Sequence, residues 1–148
     1  MTTIKHAAPA STVLLLSTEL DYLPDGDSKF VIVSNDAAGE LFLWADFELN
    51  LDTPATSRSY RGRADLYILT EMDGVNYSYG GDYITPSISN LVGSFFLWES
   101  NIQKVLHLKG VRLPPTDFKV LLRNMSTNGS TFGTNNFLRM AKYNLQAS

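Results

Sequence analysis

The stretch LFLWADFELNL, residues 41–51, decides the fold class of this chain. Its odd positions are all apolar, and its even positions become polar after the first two residues. The odd positions carry Leu41, Leu43, Ala45, Phe47, Leu49 and Leu51, and the even positions carry Phe42, Trp44, Asp46, Glu48 and Asn50. Successive side chains of a β-strand point to opposite faces, whereas a helix would scatter both sets around its circumference. The stretch therefore predicts a strand with one face in the core.

A second stretch, residues 62–72, shows the same period of two. Its even positions are mostly apolar, and Asp73-Gly74 follows as a turn that tolerates positive φ. Further strands are predicted at 12–20, 29–34, 91–99, 102–111, 118–125 and 136–145. Many short strands separated by turns are typical of a sandwich, jelly roll or barrel. The pattern thus predicts an all-β domain of about eight strands, with one helical turn near residues 114–118.

Composition limits the classes of function. The 148 residues suit one domain, which we divide into an extended N-terminal arm (1–11) and a β-sandwich domain (12–148). With no cysteine, disulfides and thiolate chemistry are excluded. The net charge is −3 and the densest basic stretch is only Arg58, Arg61 and Arg63, so we expect no nucleic-acid partner. We also expect no signal peptide and no membrane partner.

The ionisable residues do not form a recognisable active site. Asp46 and Glu48 share one strand face, as paired glycosidase carboxylates would, but alternation alone also places polar residues there. His107 is predicted to be exposed and has no partner motif. We therefore predict no catalytic residue, no cofactor and no metal. Asp21, Asp25 and Asp27 resemble a weak calcium loop and are interpreted as a polar turn, because no closing glutamate follows.

Aromatic side chains on the second face of two strands form the candidate contact surface. Phe42 and Trp44 lie opposite the apolar stripe of 41–51, and Phe96 and Trp98 lie opposite Phe95 and Leu97. Such side chains suit a protein interface or a sugar platform, or else they lie under a second layer of structure. The predicted protein interface therefore comprises Phe42, Trp44, Phe96 and Trp98, with Thr2, Ile4 and Pro9 of the arm.

The chain also resembles the head decoration proteins of tailed bacteriophages, which are also called cement or auxiliary capsid proteins. The resemblance covers roughly residues 40–145. It lies in the strand ending Asp73-Gly74-Val75-Asn76-Tyr77, in Gly93-Ser94-Phe95-Phe96-Leu97, in Leu113-Pro114-Pro115 with Phe118-Lys119, Leu122 and Asn124, and in Asn136 and Tyr143.

This resemblance implies a single jelly-roll-like antiparallel β-sandwich without catalytic residues. It further implies a structural virion protein on the capsid exterior, assembled in the host cytoplasm. Such a protein forms a homo-oligomer, commonly a trimer, and binds the major capsid protein at junctions between subunits. Two alternatives stay open: a jelly-roll carbohydrate- or receptor-binding module of a phage tail or fibre, suggested by Tyr77, Tyr79 and Tyr83, and a small hydrolase using Asp46 and Glu48.

Overall fold

The computed structural model describes residues 4–6, 12–35, 41–52, 62–71, 77–78, 80–82, 84–97, 103–126 and 130–147. The strands are β1 (Ile4–His6), β2 (Thr12–Leu16), β3 (Ser28–Val33), β4 (Trp44–Leu51), β5 (Arg63–Thr70), β6 (Leu91–Phe96), β7 (Lys104–Arg112), β8 (Phe118–Met125), β9 (Phe137–Tyr143) and β10 (Leu145–Ala147). Two 3₁₀ turns, Thr18–Leu20 and Ile88–Asn90, precede β3 and β6. No helix in the described ranges is long and apolar enough to cross a membrane.

The strand order is that of a jelly roll. Sheet I is four-stranded with the order β2-β9-β4-β7, and sheet II is four-stranded with the order β3-β8-β5-β6. All pairings within both sheets are antiparallel. Strands that follow each other in the chain mostly alternate between the two sheets, which is the double Greek-key arrangement of an eight-stranded jelly roll. The predicted all-β, jelly-roll-like antiparallel sandwich is therefore confirmed.

The core lies between the two sheets. Ala45, Phe47, Leu49 and Leu51 of β4 are each 0% exposed, so the apolar stripe predicted from residues 41–51 is buried. The stripe begins only at Ala45, because the preceding Leu41 and Leu43 are 42% and 41% exposed. The backbone N–H and carbonyl of Phe42 bond to the side chain of Asn35. These bonds hold Phe42 before the start of β4, where its ring packs against the core.

Part of the outer face of sheet II is covered by the chain's own residues 77–78, 80–82 and 84–90. Tyr67, Leu69 and Leu121 point away from the core, yet they are almost fully buried in a second apolar cluster. An added Cβ on Gly80 would come within 2.9 Å of both Leu69 and Pro86, which shows how closely this covering segment packs. The Ser28 hydroxyl donates to the carbonyl of Gly81 at 2.8 Å. The cover is partial, because Ile32 and Phe96 on the same outer face are 53% and 61% exposed.

Buried asparagines fasten the turns to the sandwich. Asn124 is 0% exposed; its amide donates to the carbonyls of Leu23 and Ser130, and its Oδ1 accepts from the backbone N–H of Ser126. Asn136, 3% exposed, donates to the carbonyls of Leu20 and Gly133 in the same way. Such bonds satisfy backbone groups that lie outside the strand ladders.

Two local expectations are changed by the structure. No helical turn forms at residues 114–118, where the chain bends and enters β8 at Phe118. In the predicted N-terminal arm, Ile4–His6 forms β1 and pairs antiparallel with Leu145–Ala147. The strand partner of Ile4–His6 is thus the C-terminal segment of the same chain. Neither β1 nor β10 could be predicted from a period of two, because each strand has only three residues.

Candidate functional site

The outer face of sheet I carries several exposed side chains. Strand register places its side chains in rows that run across all four strands. Leu14 of β2 pairs with Arg139 of β9, Arg139 with Glu48 of β4, and Glu48 with His107 of β7. Leu14 is 61% exposed, and the side chains of Arg139 and His107 are 44% and 49% exposed. This central row is therefore reachable by a ligand.

Glu48 holds the central row together. Its Oε1 lies 2.6 Å from Nη2 of Arg139, and its Oε2 lies 2.9 Å from Nε2 of His107. The Arg139 guanidinium also stacks on the Phe137 ring, 5.2 Å from the ring centre. Each long side chain is thus fixed by at least one partner before any ligand arrives. Fixing polar groups in advance reduces the entropy lost on binding.

Glu48 is held in its ionised form. Partial burial alone would raise its pKa, but the hydrogen bond from His107 and the charge and hydrogen bond of Arg139 together lower the pKa below its ordinary value. Because the folded-state pKa is depressed, this carboxylate contributes stability above the ordinary pKa near 4.5, and the contribution is lost as pH falls through the depressed value.

We therefore expect the Glu48→Gln variant to lose less stability than the native chain when pH is lowered from 6 to 3, because the variant has no carboxylate at this position to protonate. Thermal unfolding across that pH range measures the difference. A matched Asp117→Asn variant should follow the native curve more closely, since Asp117 lies outside this network. Parallel curves for Glu48→Gln and the native chain would contradict the assignment.

A first depression, of about 290 Å³, lies beside the central row. Asp46 forms one wall and accepts hydrogen bonds from the backbone N–H of Gly110 at 2.8 Å and from the Tyr143 hydroxyl at 3.3 Å. Burial and the nearby Asp46 raise the pKa of Tyr143, so its hydroxyl stays protonated as a donor. Lys109, at the rim, adds an exposed cation.

A second depression, of about 510 Å³, follows along the same face. Asn50 accepts from the amide of Gln103 at 3.0 Å, and Asp52 accepts from Asn135 at 3.5 Å. Asn136 and Phe137 also line it. Amide and carboxylate groups therefore continue the line of polar side chains beyond Glu48, with an aromatic ring beside them.

Of the predicted interface residues that the structure describes, Phe42 and Trp44 lie at sheet I and Phe96 lies on sheet II. Phe42 is partly buried, with Lys142 stacked 5.0 Å from its ring centre, whereas Trp44 is partly buried on the outer face of sheet I. Phe96 lies on sheet II and is 61% exposed. Trp98, Thr2 and Pro9 lie outside the described residues, and for Ile4 only its place in β1 is described. The predicted protein interface stays a prediction.

The tyrosine-rich loop is only partly described. Tyr77 pairs with Glu71 in an antiparallel bridge, and the ammonium of Lys119 lies 4.9 Å from its ring centre. Tyr79 and Tyr83 lie outside the described residues. Where it is described, this loop belongs to the cover of sheet II.

The Asp21–Asp27 segment is a turn that is tied to strand β8 and to the chain before β9. Asp21 accepts from the backbone and side-chain N–H groups of Asn136, and the backbone N–H of Gly26 donates to the carbonyl of Asn124. In the described part of the chain, no three His, Asp or Glu side chains are grouped closely enough to hold a metal ion. These contacts favour the polar-turn interpretation over the calcium loop.

Sequence reasoning recognised part of this site. Asp46, Glu48 and His107 were each placed on a polar strand face, and the structure brings them together on one sheet. Arg139, Lys109 and Gln103 were missed, because their contribution depends on which strands are neighbours. Opposite charges at paired positions, such as Glu48 and Arg139, are the available hint, but only once the strand order is known.

Comparison with known proteins gives no family for the chain. No protein-family model matches it, and no curated protein matches it. Among solved structures, the chain is similar to the CBM36-1 domain of a multidomain xylanase from the hindgut metagenome of Trinervitermes trinervoides, with 16% identity, a TM-score of 0.46, and coverage of 95% of this chain and 97% of that one. It is also similar to carbohydrate-binding module CBM36 in complex with calcium and xylotriose, with 15% identity, a TM-score of 0.39, and coverage of 100% and 99%. At these values, neither structure identifies a ligand for this chain.

Proposed function

We propose that this domain is a non-catalytic binding module that holds a carbohydrate on the outer face of sheet I. The observation that carries the proposal is the central row, in which Glu48 fixes Arg139 and His107 on an open face. The proposal rests on this face and on the depressions beside it, and not on the likeness to carbohydrate-binding modules.

The chemistry of the face suits a polyhydroxylated ligand. Sugar hydroxyls both donate and accept hydrogen bonds, and the face offers carboxylate acceptors together with guanidinium, imidazole and ammonium donors. Apolar side chains stand directly beside these polar groups: Leu14 and Val105 are 61% and 52% exposed, and Phe137 is partly buried. Such neighbours suit the C–H surfaces of a sugar ring, so one ligand class accounts for both kinds of side chain.

The state of Glu48 supports binding rather than hydrolysis. A glycosidase general acid needs a raised pKa so that it carries a proton at working pH. The pKa of Glu48 is lowered instead, and both of its carboxylate oxygens are already engaged by Arg139 and His107. The hydrolase alternative built on Asp46 and Glu48 is therefore the weakest of the three.

The test is glycan-array screening followed by calorimetry. We expect Arg139→Ala to weaken any carbohydrate bound by the native chain by about tenfold or more, because it removes a fixed donor and releases Glu48. The matched control is Ile88→Ala, since Ile88 is 75% exposed on the segment that covers sheet II and should leave affinity unchanged. Native protein that binds no glycan, or equal affinity in both variants, would overturn the proposal.

A second candidate is the capsid decoration protein implied by the sequence resemblance. Phe96, a large aromatic side chain that is 61% exposed on sheet II, is the structural observation that favours it. In this proposal the chain forms trimers on the virion exterior and binds the major capsid protein, without enzymatic activity. Light scattering after size exclusion and co-sedimentation with expanded capsids test it; a monomer that does not co-sediment would count heavily against it.

A further inference from the structure

The two depressions on sheet I lie one after the other along strand β4. The first is lined by Asp46, Glu48 and Lys109, and the second by Asn50 and Gln103. They share no lining residue, yet Glu48 and Asn50 are two positions apart and therefore project from the same face of one strand. The polar surface is thus continuous from one depression to the next.

The neighbouring strands β7 and β9 continue this surface on either side of β4. Register places His107 beside Glu48 and Val105 beside Asn50 on β7, and β9 places Arg139 and Phe137 at the same two levels. From Asp46 to Asp52 the chain advances six residues, which corresponds to about 20 Å at the usual rise of a strand. A single sugar ring would occupy only one part of such a length.

Charge along this surface is mixed rather than of one sign. In the first depression Glu48 is paired with Arg139, and the other charged lining residues are the cation Lys109 and the carboxylate Asp46. The second depression contains two carboxylates, Asp21 and Asp52, together with the uncharged amides of Asn50 and Gln103. A strongly acidic ligand would meet Asp52 and Asp46, and a strongly basic one would meet Lys109 and Arg139, so an uncharged ligand fits both depressions best.

We infer that the ligand is an extended, uncharged oligosaccharide that lies along β4 and occupies both depressions. This inference rests on the proposed function and narrows it from carbohydrates in general to linear neutral chains bound along their length. Affinity then depends on chain length, because a short ligand fills one depression and a long ligand fills both.

The experiment uses neutral oligosaccharides of two and six units from xylan, cellulose and mannan as probes, with calorimetry on the full chain. We expect the best hexasaccharide to bind at least about tenfold more tightly than its disaccharide. Lys109→Ala and Gln103→Ala change exposed side chains, one at each depression. Each should weaken the hexasaccharide about threefold or more, whereas at most one should affect the disaccharide.

Each possible result identifies which idea fails. If disaccharide and hexasaccharide bind equally and Arg139→Ala still weakens both, carbohydrate binding stands and the extended-chain inference is overturned. The same holds if Gln103→Ala leaves hexasaccharide affinity unchanged. If no probe and no glycan on the array binds, the proposed function itself is overturned. Circular dichroism of all three variants confirms that a lost affinity does not come from unfolding.

Discussion

Replacing Asn124 by alanine is expected to lower the free energy of unfolding by about 3–5 kcal/mol, because the buried backbone N–H of Ser126 would lose its acceptor and two further hydrogen bonds would vanish. The amide of Asn124 donates to the carbonyl of Leu23 at 2.8 Å and to that of Ser130 at 3.0 Å. Both carbonyls keep another partner, from Phe132 and Ser126. The cost therefore comes chiefly from the unpaired N–H and the cavity left behind.

The matched control is Asn144→Ala. Asn144 also bridges two backbone groups, accepting from the N–H of Leu43 and donating to the carbonyl of Leu41, each at 2.8 Å. These bonds are exposed, so water can replace the lost amide and the cost should stay near 1 kcal/mol. Chemical denaturation of both variants measures the difference. Equal losses would show that burial of Asn124 is not what makes it important.

The second large effect is expected at Gly80, where alanine should lower the free energy of unfolding by about 2–5 kcal/mol. Gly80 has a φ of +152°, a conformation that side chains rarely adopt. An added Cβ would lie 2.9 Å from Cδ1 of Leu69 and 2.9 Å from Cβ of Pro86. The Leu69 side chain can rotate, but the proline ring cannot, so the covering segment must move away from sheet II.

Gly26→Ala separates backbone strain from packing in this prediction. Gly26 also has a positive φ, +90°, but an added Cβ would meet nothing within 4 Å. It should therefore cost only about 1–2 kcal/mol of backbone strain. The Gly80 variant should also bind a dye for exposed apolar surface, because Leu69 and Tyr67 lose their cover. An equal loss of stability in both variants, without dye binding, would contradict the close packing of this segment.

Much of the fold could be predicted from local patterns. Residues 41–51 and 62–72 carry a clear period of two, so both strands followed directly, but β5 is buried on both faces and not on one. Alternation also placed Glu48 and His107 on polar faces, because each lies between apolar neighbours in its strand. The sequence could not predict where the buried apolar stripe of residues 41–51 begins. Its start is set by the side chain of Asn35, which forms hydrogen bonds with the backbone N–H and carbonyl of Phe42.

The alternation patterns could not predict which strands pair with each other. Glu48 and Arg139 are distant in the chain and meet only because β9 lies beside β4. Period two reports which face of a strand is buried, and it carries no information about the neighbouring strand. For the same reason, the jelly roll could be distinguished from another sandwich only once the order β2-β9-β4-β7 was known.

The sequence by itself therefore determined that this protein is built from strands with one apolar face, because alternation is a property of each strand alone. It also determined the absence of thiol chemistry, because the chain has no cysteine. Only the tertiary structure decided that residues 80–82 and 84–90 pack over part of the outer face of sheet II and that the outer face of sheet I carries exposed polar side chains. Which face is covered depends on how segments that are distant in the chain pack against each other. As a result, polar side chains from several strands lie together on the outer face of sheet I.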